Sequence, residues 1–174
     1  MVSPGDVLDA MQELTAATGR LPSILEVAKA VGLTKQGVLH HFPTRAALDA
    51  AVTRRALSRV DAAMRAAAAD GSPTEAYLRL SSPESGDRVV VLVLMAGLRR
   101  SESEALADEI EQAVARWQAM IADEVADPIR AEVVRLVGDG LFSEALLRGT
   151  APSPDRLMRL TAHLSGHASM DSPK

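Results

Sequence analysis

Apolar residues recur along the chain at spacings of three and four rather than two, a pattern that predicts helix after helix. Val7, Leu8, Met11 and Leu14 share one helical face. Ser3-Pro4-Gly5-Asp6 opens that run with a serine cap, proline at the first helical position and an acid at the third; Gly19 stops it. Ser23-Ile24-Leu25-Glu26 has capping-box spacing and opens a short helix that carries Val27, Ala28 and Val31 and ends at Gly32. Thr34 caps a third short helix through about His41. Pro43-Thr44 then opens a longer one, with Ala47, Leu48, Ala51, Val52 and Leu57 as its stripe, running towards Gly71.

The second half repeats the grammar. Ser72-Pro73-Thr74-Glu75 reads as another capping box, followed by a short helix and a Ser/Pro/Gly loop over 81–86. The Val-rich segment 87–99 has strand-like composition. With no second such run to pair with, it reads as a buried helix. Ser101 to Glu104 is a further box, and Leu106, Ile110, Val114, Trp117 and Ile121 follow at helical spacing. Asp127-Pro128 and Ser153-Pro154 start two more helices, the first closed by Gly149, and 166–174 reads as a frayed tail. The expectation is an all-α chain of about nine helices with no sheet.

Composition narrows the function classes. The 174 residues include no cysteine, which excludes a disulfide scaffold, a Cys-ligated metal site and a Cys nucleophile. The strongest apolar run, Val89 to Leu98, is about half a membrane span, and the N-terminus with Asp6 and Asp9 does not look like a signal peptide, so a cytoplasmic protein is expected. The net charge of −4 is unevenly spread. Residues 20–59 hold seven Lys/Arg (Arg20, Lys29, Lys35, Arg45, Arg54, Arg55, Arg59) against two acids, Glu26 and Asp49. A basic segment on an acidic body points one end at a polyanion, although a short window also fluctuates by chance.

That basic segment contains two short amphipathic helices meeting at a glycine turn, the layout of a helix-turn-helix. Gly32 supplies the left-handed turn residue, small Ala28 lets the helices cross closely, and Val27, Val31, Leu33 and Val38 form the core between them. The second helix begins Thr34-Lys35-Gln36-Gly37, polar or small throughout, and the start of a recognition helix is what enters the major groove. Lys35 suits guanine acceptors or a phosphate, Gln36 has the donor–acceptor pair that reads adenine, and Gly37 allows close approach to base edges. Ser23 and Thr34 offer hydroxyls and helix-start N–H groups to phosphate oxygens. A plain helical hairpin with ordinary caps carries much of the same pattern.

The segment resembles the DNA-binding domain of the TetR family of bacterial transcriptional regulators. The resemblance rests on Ser23, Val27-Ala28, Val31-Gly32-Leu33, Thr34, His41-Phe42, Arg45 and Leu48 in register, across roughly residues 4–55. Two positions depart from the family's pattern: Leu39 stands where a phosphate-touching tyrosine is usual, with His40 beside it as a substitute, and Arg45 stands where lysine is usual. Asp139-Gly140-Leu141 is similar to a tripeptide of the family's late dimerisation helix. The resemblance implies a DNA-binding domain over 1–50, a linker helix from about 44, and a ligand-binding and dimerisation body over 51–165. It also implies that Ser23, Thr34, Lys35, Gln36, Gly37, His40, His41 and Arg45 face DNA, with Arg20 or Lys29 adding phosphate contacts.

The body is read from its apolar faces. Ile129, Val133, Val134, Leu136, Val137, Leu141, Phe142, Leu146 and Leu147 cover more than one side of their helix, so it is either fully buried or shared with a second subunit. With Leu157, Leu160 and Leu164 it suits a four-helix interface across a two-fold axis. Tyr77, Leu94, Met95, Leu98, Trp117, Met120 and Ile121 are candidates for a ligand pocket, although residues in such positions are more often plain core. Neither His40-His41 nor His163/His167 makes a convincing metal pair, and Gly138-Asp139-Gly140 is better explained by two helices in close approach than by a nucleotide loop. The expectation is a homodimeric repressor without cofactor, held on an inverted repeat of double-stranded DNA and released by an unidentified small molecule, with no membrane partner. A helical interaction protein that no longer binds DNA specifically is the alternative.

Overall fold

The computed structural model describes residues 2–18, 20–81, 104–148 and 152–165. Among these, eight helices and no strand are present: α1 (Pro4–Thr18), α2 (Ile24–Ala30), α3 (Lys35–His41), α4 (Arg45–Ala69), α5 (Pro73–Leu80), α6 (Glu104–Val125), α7 (Pro128–Arg148) and α8 (Pro154–Leu164). The expected helix over 87–99, the stops at Gly19 and Gly149 and the 166–174 tail lie outside the described residues. The all-helical architecture matches the sequence expectation.

Local chemistry sets most helix starts. The Ser3 hydroxyl accepts from the Asp6 amide while the Asp6 carboxylate accepts from the Ser3 amide at 2.7 Å. Thr44 Oγ1 accepts from Ala47 N at 3.0 Å, so α4 begins one residue after its cap. Asp127 Oδ1 serves the amides of Ile129 and Arg130, and the Ser153 hydroxyl serves Arg156 N. Gly32 and Gly71 both take φ of +71°, where a Cβ would be strained, and terminate α2 and α4.

The expected cap at Ser72 is a correction. Ser72 makes no side-chain cap bond. The Thr74 amide instead donates to Glu124 Oε2 at 2.7 Å, a carboxylate fifty residues further along the chain. A tertiary acceptor has taken over a duty that local sequence assigned to the serine.

The helices gather into two compact units. The first holds α1 to α3, α4 as far as Arg59 and α6 as far as Ile110; the second holds α4 from Val60, α5, α6 from Glu111, α7 and α8. In the first, Val7, Met11, Val27, Ala28, Val38 and Val52 are wholly buried. Arg55 crosses from α4 to α1, donating to Asp9 at 2.8 Å and to Gln12 at 2.9 Å, and Arg54 makes a forked ion pair with Glu109.

In the second unit, α5 packs on both α7 and α8. Gly138 makes the first of these contacts possible. A Cβ there would lie 2.6 Å from the Tyr77 ring and 2.7 Å from the Ser81 hydroxyl, far inside van der Waals contact. Close helix approach is thus what this glycine provides, as its sequence context predicts. We expect Gly138→Ala to destabilise the fold by about 1–3 kcal/mol, because overpacking outweighs alanine's better helix propensity. Thermal unfolding checks this; an unchanged or raised Tm means the α5–α7 contact relaxes freely.

Candidate nucleic-acid interface

The helix-turn-helix is assembled from the expected residues. Ser23 Oγ accepts from Glu26 N at 3.2 Å while Glu26 Oε2 accepts from Ser23 N at 2.7 Å, a complete capping box. The Leu33 amide returns to the Ala28 carbonyl at 2.9 Å across the Gly32 turn. Thr34 Oγ1 accepts from Gly37 N at 3.1 Å and starts α3. Val27, Ala28 and Val38 are fully buried between the helices. The arrangement leaves Ser23 exposed at the start of α2 and Thr34, Lys35 and Gln36 exposed at the start of α3, with His40 exposed one turn further on. Each capping hydroxyl accepts through oxygen, so its own hydrogen remains available to donate.

Electrostatics strengthen the α2 start. The Arg20 guanidinium, together with the Ser23 amide and hydroxyl, holds the Glu26 carboxyl down at about 2 from its ordinary 4.5. A carboxyl depressed in the folded state contributes stability above its unfolded pKa and loses it as pH falls through the folded value. The helix-turn-helix is therefore expected to weaken progressively as pH falls from about 4.5 to about 2. Glu26→Gln should remove this part of the acid dependence, read as Tm against pH; parallel profiles for both proteins would contradict it.

Some expected residues have other duties. Arg45 donates from Nε to Asp49 at 2.7 and 2.9 Å and from Nη1 to the Pro22 carbonyl at 2.7 Å, so most of its guanidinium is committed inside the fold. Burial holds Asp49 above the usual carboxylate range in spite of that partner. Arg20 is likewise occupied, forking onto Glu26. Gly37 is half-buried, and a Cβ on it would press to 3.3 Å of Leu33 Cβ, so its smallness serves the turn. His41 is half-buried, its ring 5.8 Å from that of His40 in an edge-on arrangement. Among the described residues no cluster of three metal-ligating side chains exists.

The ligand-pocket candidates divide. Leu94, Met95 and Leu98 lie outside the described residues. Trp117 and Ile121 are core, and the Trp117 Nε1 donates at 2.6 Å to Asp61, a buried carboxylate that Arg65 and Arg116 also reach at 3.0 and 3.1 Å. Tyr77 is buried against Gly138, with its hydroxyl 3.4 Å from Asp139, which also pairs with Arg135. Met120 lines an open groove with Asp123 and Glu124. Sequence reasoning missed Asp61, although an acid beside Val60 on the apolar face of α4 and a lone tryptophan needing an acceptor were its signals. It also missed Leu25, 66% exposed on the first turn of α2.

Among the described residues no helix is long and apolar enough to cross a membrane. No curated protein matches the chain. Among solved structures, a TetR family transcriptional regulator, PfmR from Thermus thermophilus, shares the fold with a TM-score of 0.59 at 18% identity, over 95% of this chain and 99% of that one. The family model described as "Tetracyclin repressor-like, C-terminal domain" matches residues 71–168, more than half of the sequence. That match lies C-terminal to the helix-turn-helix. The chain belongs to the tetracycline-repressor-like (TetR) family and is a transcriptional regulator, not an enzyme.

Proposed function

We propose that this regulator is a homodimeric repressor whose two α3 helices occupy successive major grooves of an inverted-repeat operator, and that a small molecule bound in the body releases it. The observation that carries the DNA-binding half is the exposure of Ser23, Thr34, Lys35, Gln36 and His40 on a rigidly capped helix-turn-helix. Lys35 and Lys29 neutralise phosphates, Gln36 reads a base edge, and the two hydroxyls and His40 fix register on the backbone. Arg45 braces α4 against the turn before α2 and acts by positioning, so the phosphate contacts fall to the lysines. Residues 1–50 serve as the reading head, with the linker helix from about 44, and 51–165 as the sensing and dimerisation body.

The dimer is supported by an uncovered apolar stripe. Ile129, Val133 and Leu136 of α7 are 70%, 40% and 53% exposed, while Ala131, Val134, Leu141 and Phe142 of the same helix are buried. Such a two-sided helix is what a second copy would cover. A closed two-fold dimer holds two recognition helices about one DNA turn, or a multiple, apart. Release by a ligand follows if the ligand favours a body conformation whose spacing misfits the operator.

Selection of the purified protein on a random double-stranded DNA pool tests the reading. Recovery of an inverted repeat is the expected result. Recovery of unrelated sequences, or none, overturns it and favours a scaffold that interacts with proteins.

A further inference from the structure

The second unit contains an open groove that DNA binding does not explain, on the side of α8 that carries Pro154, Met158 and Ala162; of the three leucines expected at the dimer interface, Leu157 borders it, whereas Leu160 and Leu164 do not line it. It encloses about 560 Å³ between the start and outer face of α5, the C-terminal part of α6 and one side of α8. That volume falls in the range of small-molecule sites. Its floor is a stripe on α8, Pro154, Leu157, Met158 and Ala162, at helical spacing. Met158 is 64% exposed, an uncovered thioether on a surface adaptable enough to fit flexible chains. Among the described residues no aromatic side chain lines the groove.

The rim is acidic. Glu75 and Glu124 line the groove beside the apolar floor, and Arg79, the one cation in the lining among the described residues, sits 3.8 Å from Glu75. Glu124 is held in place by the Thr74 amide through Oε2, with no cation paired to it among the described residues. An adjoining cavity of about 450 Å³ shares Gly71 and Glu124 and adds Asp123 and Met120, extending both the negative charge and the soft apolar surface. An apolar trough beside Glu124 and Asp123, which pair with no cation among the described residues, is complementary to one chemistry, a positive head on an aliphatic body.

We propose that this groove binds an aliphatic organic cation, its alkyl portion lying along Leu157, Met158 and Ala162 and its ammonium group beside Glu124 and Asp123. Its use as the effector site rests on the reading of the chain as a ligand-released regulator. The binding itself does not.

Decyltrimethylammonium, below its micelle concentration, is the probe, titrated into the full-length protein by calorimetry with decyl sulfate as the chain-matched anion. Saturable binding of one cation per chain is expected, with no comparable binding of the anion. Glu124→Gln keeps an acceptor for the Thr74 amide and should weaken binding about fivefold, as loss of one exposed charge pair implies. Met158→Lys places a positive charge on the floor and should abolish it. Absent or unsaturable binding, equal binding of decyl sulfate, or wild-type binding by both folded variants overturns the proposal. The same cation is then added to the protein on its selected DNA. Release makes the groove the effector site; binding without release overturns only that role and leaves the site standing.

Discussion

Replacing Lys35 with glutamate is expected to lower affinity for the selected inverted repeat by at least about tenfold, equivalent to about 1.4 kcal/mol. Lys35 is exposed on the first turn of α3 and makes no ion pair among the described residues, so the substitution leaves the fold intact. On DNA each of two protomers exchanges a phosphate-neutralising ammonium for a carboxylate in the strongest negative field on the duplex. The logarithmic salt slope should flatten by roughly two as well, one per lost phosphate contact. Fluorescence anisotropy on the selected duplex at several salt concentrations reads both effects. Unchanged affinity with an unchanged slope would place Lys35 off the DNA, and the recognition role of α3 would fall with it.

The second large effect lies in the body. Asp61→Ala is expected to destabilise the chain by about 2–3 kcal/mol, because it strands the Trp117 Nε1 donor in the core. For a chain of this size that is a fall in Tm of roughly 5–10 °C. Arg65 and Arg116 contribute little of it. Their side chains are 65% and 51% exposed, and solvent screens such pairs. Asp61→Asn retains an oxygen acceptor for the indole and should lose less than half as much. Trp117 is the sole tryptophan, so its emission reports the loss of that bond directly. If Asn proves as damaging as Ala, the charge rather than the hydrogen bond holds the site together.

The fold was legible wherever its determinants are local. The Ser23–Glu26 box, the Thr34 cap and the αL glycine at 32 each depend on residues within four positions, and all formed as their spacing implies. Ser72 failed because its helix start is served by Glu124, and no window of sequence brings those two together. Gly138 was legible as a point of close approach, yet its partners Tyr77 and Ser81 are far away in the chain. The same reasoning separates the site residues. Lys35 and Gln36 project from a short capped helix and could be placed by register alone. Arg45 looked like a free cation, but the Pro22 carbonyl captures it across twenty-three residues. The partners of the two aromatic ligand candidates were hidden for a related reason: Trp117 meets Asp61 and Tyr77 meets Asp139 across more than fifty residues of chain.

The central claim is that two copies of this chain grip one duplex through charged contacts from α2 and α3. The most direct test measures stoichiometry and affinity together on the selected inverted repeat, at 50 and 200 mM salt (about a fourfold change). Lys29 and Lys35 from two protomers make about four phosphate contacts, which predicts two chains per duplex and an affinity falling roughly a hundredfold between the two salts. One chain per duplex, or an affinity that barely responds to salt, would contradict the account.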